Sequence, residues 1–201
     1  MTREQLLEKI SLCAENNTAI YKAFEKIDRK LFVPEEYKEY AYEDRPLPIG
    51  SVQTISQPTM ICIMLKVLDI NPHNSVLEIG TGSGYTTALI SQLAKKVYTI
   101  ERLAELSYRA QKIFESLNLS NVKCKIGDGT IGWEEFAPYD RIIVTAAFDV
   151  IPETLIKQLK VSGILLTPVK SGNSQYILKI KKLPDRIEES IISECNFVEI
   201  I

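Results

Sequence analysis

The sequence has a single histidine, His73, and it lies in the turn-like stretch "NPHN". A zinc centre built on imidazoles and a Ser-His-Asp triad therefore have almost no material, no metal is expected, and His73 reads as a solvated turn residue. The four cysteines, Cys13, Cys62, Cys124 and Cys195, lie far apart with no CxxC spacing. That argues against a zinc ribbon or a CxxC redox motif, and suits reduced, packed thiols in a cytoplasmic protein. Long apolar runs are missing, and the opening "MTREQLLEKI" is too charged for a secretory signal, so neither a membrane span nor a leader is expected. An excess of one charge is missing as well: 24 Lys and Arg stand against 26 Asp and Glu, for a formal net charge of -2. Without a global positive field, neither duplex nucleic acid nor an anionic membrane is an expected partner. The one basic knot, "KIKK" from Lys179 to Lys182, reads as a solvated strand face.

The 201 residues, 45% hydrophobic and 25% charged, suffice for one sizeable core. Thr2 and Gln5 form a capping-box pattern that opens a first helix, and Ile20, Ala23, Phe24 and Ile27 recur at helical spacing in a second. "FVPEEYKEYAYEDRPLPIG" then reads as an irregular segment pinned by aromatic anchors. It runs into "PLPIGSVQTISQP", Pro46 to Pro58, a stiff polar loop whose prolines forbid a helix or a central strand.

Beyond it, β-rich runs alternate with helical stretches. The strands are read in "SVLEI", "KVYTIE", "VKCKIG", "YDRIIVTAA", "GILLTPV", "QYILKIKK" and within "RIEESIISECNFVEII". Leu103, Leu106, Ala110, Ile113 and Leu117 mark an amphipathic helix between the second and third. The expectation is an α/β fold: a Rossmann-like, doubly wound, mostly parallel sheet covered on both faces, with an N-terminal helical and loop extension. The chain reads as one domain over 1–201, with helices and loop in 1–58 and the core in 59–201.

"VLEIGTGSGY" is a strand, a glycine-rich turn and a helix with Tyr85, Ala88, Leu89 and Leu93 on its apolar face. Small residues let backbone N–H groups approach a ligand at a helix N-terminus. Gly80, Gly82 and Gly84 give G-x-G-x-G rather than the dinucleotide pattern G-x-G-x-x-G. Glu78, inside the strand, either bonds backbone donors of the loop or meets a cationic ligand. A ligand with a positive amino-acid portion and no phosphate would suit it. Glu101, in "YTIER" at the end of the next strand, is placed to take ribose hydroxyls. Asp128, in "IGDGT", can accept from an adenine amino group or simply close a turn. Together the three carboxylates favour an adenosine pocket.

"EIGTGSG" followed by "YTIE" and "GDG" resembles the nucleotide pocket of class I S-adenosylmethionine-dependent methyltransferases. "LFVPEEYKEYAYEDRPLPIGSVQTISQP", "PYDRIIVTAA" and "IPETLIKQLKVSGILLTPV" resemble segments of the protein-L-isoaspartate O-methyltransferase family. The resemblance implies methyl transfer from S-adenosylmethionine, leaving S-adenosylhomocysteine, to the free α-carboxylate of L-isoaspartyl residues in damaged proteins and peptides. It implies that Ser56, in the Thr-Ile-Ser tripeptide with Thr54 as a second orienting donor, contacts that carboxylate. The implied cofactor wall is Gln53, Thr54, Ile55 and Ser56, then Glu78, Gly80, Thr81, Gly82 and Ser83, Glu101 and Arg102, and Gly127, Asp128 and Gly129. Ser56 also fits a bland role as the cap of a helix beginning near Pro58.

Two departures stand out: Ser162 replaces a glycine of a two-glycine turn, and "NFVEII" lacks the arginine and proline that relatives carry around Phe-Val. An isoaspartyl carboxylate is ionised at neutral pH and needs no general base, which agrees with the missing catalytic histidine. The alternatives are a methyltransferase of the same fold acting on a small molecule or RNA, and a non-catalytic S-adenosylmethionine sensor. "VTAAFD" lacks the Pro-Pro-aromatic sequence that goes with base methylation. A monomer is expected.

Overall fold

Residues 1–198 are described by the computed structural model, so Glu199 to Ile201 of the "NFVEII" end lie outside the described residues. The first expected helix is α1 (Arg3–Ala14), opened by the anticipated box: the Thr2 side chain accepts from the Gln5 N–H, and the Gln5 side chain from the Thr2 N–H. The second is α2 (Thr18–Lys26), capped by Asn17. Two 3-10 turns, Arg29–Phe32 and Glu35–Tyr40, follow.

The Pro46–Pro58 stretch is more ordered than a loop. It folds as a two-stranded antiparallel ribbon, β1 (Leu47–Gly50) and β2 (Gln53–Ile55), standing apart from the main sheet. The ribbon turns through Ser51 and Val52, both at positive φ as a two-residue hairpin requires. Neither residue favours that region, and Val52 is 95% exposed at the tip.

Helix α3 (Pro58–Leu68) begins with proline at its first turn, and its N-cap residue, Gln57, makes no side-chain cap bond. Asp44 supplies the cap from 15 residues upstream, its Oδ1 accepting from the Thr59 N–H at 3.0 Å. Ser56 is therefore not the cap of this helix.

The main sheet contains β3 (Ser75–Ile79), β4 (Lys96–Glu101), β5 (Val122–Ile126), β6 (Tyr139–Val144), β7 (Leu159–Ser171), β8 (Ser174–Lys182) and β9 (Ile187–Cys195). Their order is β5-β4-β3-β6-β7-β8-β9; the first five are parallel, and β8 and β9 return antiparallel. Between them lie α4 (Tyr85–Ser91), α5 (Ala104–Ser116) and α6 (Glu153–Lys157). The chain leaves β3 toward β4 in one direction and enters β6 on the other side, so the sheet has a switch point between β3 and β6.

Coverage of the two faces is unequal. One face, with Val76, Val97, Ile143 and Leu166, packs against residues of α1 to α5 in a single apolar cluster. The other, with Leu77, Tyr98, Ile142 and Leu165, is closed by α6 and an aromatic group around Trp133 and Phe136. Helix α4 is buried on every side rather than amphipathic. Its polar residues find partners inside: Thr87 donates to Glu78, and Ser91 to the Ala88 carbonyl. "KIKK" is only partly a solvated face, because Lys182 donates to the carbonyls of Ile156, Lys157 and Leu159 and so closes the end of α6.

One side chain, unremarked in the sequence, ties the N-terminal segment together. Arg29, only 1% exposed, donates to the carbonyls of Ala41 at 2.8 Å, Glu43 at 3.0 Å, Arg45 at 2.9 Å and Ser56 at 3.1 Å. Burial lowers its pKa to about 10, which leaves it charged at neutral pH. Four carbonyls from two irregular stretches of backbone, 41–45 and the end of the ribbon, are thus satisfied on one planar fork. Arg29→Met should lower the free energy of unfolding by about 3 kcal/mol or more, since each buried carbonyl left unpaired costs about 1 to 3 kcal/mol. Arg29→Lys should recover only part of that in urea unfolding; a loss below about 1 kcal/mol for Arg29→Met would contradict the assignment.

Ser162 carries a consequence that its mild chemistry hides. It sits at φ 66°, within β7, in the left-handed region that glycine occupies freely. Ser162→Gly should therefore raise stability by about 1 kcal/mol in the same assay, whereas an unchanged or lowered midpoint would show that the serine is unstrained.

Candidate active site

The carboxyl ends of β3, β4 and β6 open into a cleft at the switch point. Its floor is the turn after β3. Gly80 is at φ 93°, and a Cβ there would lie 2.5 Å from the Thr145 hydroxyl. That hydroxyl donates to the Gly80 carbonyl at 2.7 Å, so the end of β6 fixes the start of the turn. Gly84 is at φ 87° for a different reason: a Cβ would lie 2.7 Å from the Phe114 ring, where α4 packs on α5.

Glu101 closes the turn from the other side. Its Oε2 accepts from the Gly82 N–H at 2.8 Å and its Oε1 from the Leu103 N–H at 2.9 Å. One carboxylate thus couples the glycine-rich turn to the entry of α5 while still forming part of the cleft wall. The remaining lone pairs of its two oxygens are available to hydroxyl donors in the cleft.

Part of the turn's donor set is used to hold its own shape. Gly80 donates to Ile100, Gly84 to Thr81, Gly82 to Glu101, and Tyr85 to the Ser83 hydroxyl. The N–H groups of Thr81 and Ser83, both on the cleft wall, have no acceptor among the described residues and remain for a ligand that approaches the turn closely.

Of the residues put forward from the sequence, the cleft brings together Gln53, Thr54, Ile55, Ser56, Gly80, Thr81, Gly82, Ser83, Glu101, Arg102 and Gly129. Glu78, Gly127 and Asp128 are not on its wall. Asp128 is exposed, and its Oδ1 accepts from the Thr130 N–H at 2.8 Å, which holds its carboxyl below the ordinary range. Gly129 behind it is buried, and a Cβ there would meet Ile79 at 2.3 Å. Glu78 meets neither loop donors nor the cleft: it is fully buried and accepts from the hydroxyls of Thr87 and of Thr99, the latter at 2.7 Å. Burial pushes it up to about 7, against the two hydroxyl bonds and with a small addition from Glu101.

The sequence reading did not include Ile79, Thr86, Ile100, Leu103, Thr145, Ala146 and Val198 among the wall residues. Thr145 was findable, since it follows the strand that carries "DRIIV". Val198 had no local signal. It is brought in by two tertiary bonds, the Ala147 N–H to the Val198 carbonyl at 2.8 Å and the Phe197 N–H to Gln175 Oε1 at 2.7 Å.

The ribbon forms the cleft's outer wall. Arg109 of α5 donates to the Ile49 carbonyl at 2.9 Å and Arg29 to the Ser56 carbonyl, so both ends of the strap are pinned through the backbone. Its side chains stay available: among the described residues, neither the Thr54 nor the Ser56 hydroxyl has a hydrogen-bond partner. Thr54, Ser56, Thr145 and Val198 also line a second groove, with Pro46, Gln57, Met60 and Phe197, in which Glu194 is the one charged side chain among the described residues. The four shared residues form the junction of two adjoining cavities.

The lining fits an adenosyl amino acid: apolar Ile79, Ile100 and Leu103 for a base and Glu101 for ribose hydroxyls. The family model for protein-L-isoaspartate(D-aspartate) O-methyltransferase matches residues 1–201. The chain is 50% identical over 180 residues to the protein-L-isoaspartate O-methyltransferase of Dictyoglomus turgidum, covering 90% of this chain and 82% of that one. It is 45% identical over 196 residues to that of Dictyoglomus thermophilum, covering 98% and 89%. Among solved structures, a protein-L-isoaspartate O-methyltransferase superposes with a TM-score of 0.91 at 30% identity, over 99% of this chain and 66% of that chain. A Plasmodium falciparum protein crystallised with S-adenosyl-L-homocysteine shares the fold, with a TM-score of 0.86 at 24% identity over 99% and 98%. Matched along its whole length and half identical to a named relative, the chain belongs to the protein-L-isoaspartate(D-aspartate) O-methyltransferase family.

Proposed function

We propose that this protein transfers a methyl group from S-adenosylmethionine to the free α-carboxylate of L-isoaspartyl residues in damaged proteins and peptides, the step that initiates their repair. The observation that carries the reading is the junction: two unengaged hydroxyls, Thr54 and Ser56, on a backbone-pinned strap between the cleft that Glu101 lines and an adjoining groove.

S-adenosylmethionine supplies an electrophilic methyl on a sulfonium centre. Glu101, Gly80 to Ser83, Arg102 and Gly129 would hold it, with Gln53 to Ser56 closing over it. The isoaspartyl carboxylate is ionised at neutral pH, so no residue at the junction must remove a proton, and none of Thr54, Ser56, Gln57 and Thr145 is a base. The protein's work is orientation. Thr54 and Ser56 donate to the carboxylate and leave one of its oxygens aimed at the methyl group, and the strap keeps water from the reacting pair. Because Arg29 and Arg109 hold the strap by carbonyls alone, orienting hydroxyls and holding the loop are separate tasks.

We further propose a cytoplasmic enzyme acting as a monomer. Four unpaired cysteines suit a reducing compartment, among the described residues no helix is long and apolar enough to cross a membrane, and one chain supplies every wall of the cleft.

Radiolabelled methyl transfer to paired peptides that differ only in aspartate versus isoaspartate tests the activity. Label should enter the isoaspartyl peptide; equal labelling of both, or of neither, would contradict the reading. Ser56→Ala should leave S-adenosylhomocysteine affinity and melting temperature nearly unchanged while lowering single-turnover methylation. The expected loss is about 2 to 4 kcal/mol of transition-state stabilisation, the size of an orienting hydrogen bond. Wild-type methylation by the variant would remove Ser56 from the reaction.

A further inference from the structure

Glu78 is the residue that the mechanism above leaves unused. It has no exposed surface, its Oε2 accepts from Thr87 and Thr99, and its Oε1 has no partner among the described residues. An orphaned carboxylate oxygen in a packed core is costly, and nothing in the packing of β3 compensates it. One connection leads outward. The Thr99 hydroxyl lies 2.6 Å from that of Thr81, and Thr81 is on the cleft wall.

A hydroxyl has one proton to give. Thr99 gives its proton to Glu78, so the proton between the two threonines comes from Thr81. Thr81 is then left facing the cleft with lone pairs only. If Glu78 carries a proton, the order can run the other way: Glu78 donates to Thr99, Thr99 to Thr81, and Thr81 points a proton into the cleft. The charge on a group that never touches the ligand thereby decides whether the cleft offers an acceptor or a donor. We propose that Glu78 is a positioning residue whose ionised form, relayed through Thr99, makes Thr81 an acceptor for the cationic α-amino group of S-adenosylmethionine. This rests on the cofactor reading above and adds a directional, proton-linked element to it.

The surroundings support the assignment. The groups facing Glu78 are Thr87 from α4, Thr99 and Glu101 from β4, Cys124 from β5 and apolar Ile143 paired from β6. None is cationic, so an ammonium in the cleft is the counter-charge the site lacks. Burial sets Glu78 at about 7, and Glu101 adds to the shift, which puts both states within reach at neutral pH. A cation that favours the ionised form lowers this value on binding. Near pH 7, binding should then release protons, and affinity should rise with pH until Glu78 is ionised in the free protein.

The test is calorimetric titration of S-adenosylhomocysteine and of 5′-methylthioadenosine, which keeps the adenosyl thioether and lacks the amino-acid group. Each is titrated near pH 7 in two buffers of different ionisation enthalpy. S-adenosylhomocysteine should release a fraction of a proton and 5′-methylthioadenosine none. Glu78→Gln and Thr99→Val should each abolish the release and weaken S-adenosylhomocysteine about tenfold, with 5′-methylthioadenosine changed less than about twofold. If Glu78→Gln does not fold, Thr99→Val, which keeps the carboxyl and its Thr87 bond, carries the test. Equal proton release with both ligands, or release that persists in either variant, would overturn the relay. Failure of wild type to bind either ligand would instead contradict the cofactor reading.

Discussion

A buried guanidinium governs the substrate side of this enzyme. Ala41, Glu43, Arg45 and Ser56 lie outside the helices and strands between the first 3-10 turn and α3, and their carbonyls would be costly inside the protein without donors. Arg29 gathers four of them, from Ala41, Glu43, Arg45 and Ser56. Asp44, within the gathered segment, then caps α3 through Thr59. The strap ending at Ser56 is thus held by contacts that use none of its own side-chain donors, and the Thr54 and Ser56 hydroxyls are left unengaged among the described residues. Lysine could not replace this fork, because a single ammonium lacks the reach and planarity to serve four separated carbonyls.

Glu101 does for the cofactor side what Arg29 does for the substrate side. By accepting from Gly82 and Leu103 it fixes the glycine-rich turn against the start of α5, and Thr145 fixes the same turn from β6. The Gly80, Gly82 and Gly84 N–H groups hold the turn's shape, and those of Thr81 and Ser83 are left at the cleft wall. Arg109 links the halves, reaching from α5 to the β1 carbonyl of Ile49. The cleft is therefore assembled by polar side chains acting on backbone groups, above a sheet whose apolar faces supply the stability.

The sheet was legible because its signal is local. Seven β-rich runs, four of them matching the observed strands to within one residue at both ends, follow from apolar periodicity, and so do α1 with its capping box and the spacing of α5. The glycine turn and Glu101 were legible as a strand-end pattern. What stayed hidden depends on distant partners. Arg29 sits in "DRK", where charge density suggests a wet surface, and only its tertiary acceptors reveal it. The hairpin escaped notice because Ser51 and Val52 lack the Asn-Gly chemistry of a tight turn. Helix α4 hid its burial behind threonines and a serine that are satisfied internally. Glu78 was rightly picked out as costly, but its partners are hydroxyls, and no spacing rule announces them. Ser162 showed no sign of strain, since a residue name does not carry its φ.

The account turns on the cleft between the glycine-rich turn and the strap being the place where methyl donor and isoaspartyl carboxylate meet. A crystal structure of the protein with S-adenosylhomocysteine and an isoaspartyl peptide tests this most directly. The account predicts the ribose at Glu101, the amino group at Thr81, and the peptide carboxylate within hydrogen-bond distance of the Ser56 hydroxyl, with the Arg29 contacts intact. Ligand density outside the cleft, or a carboxylate held away from Thr54 and Ser56, would contradict it.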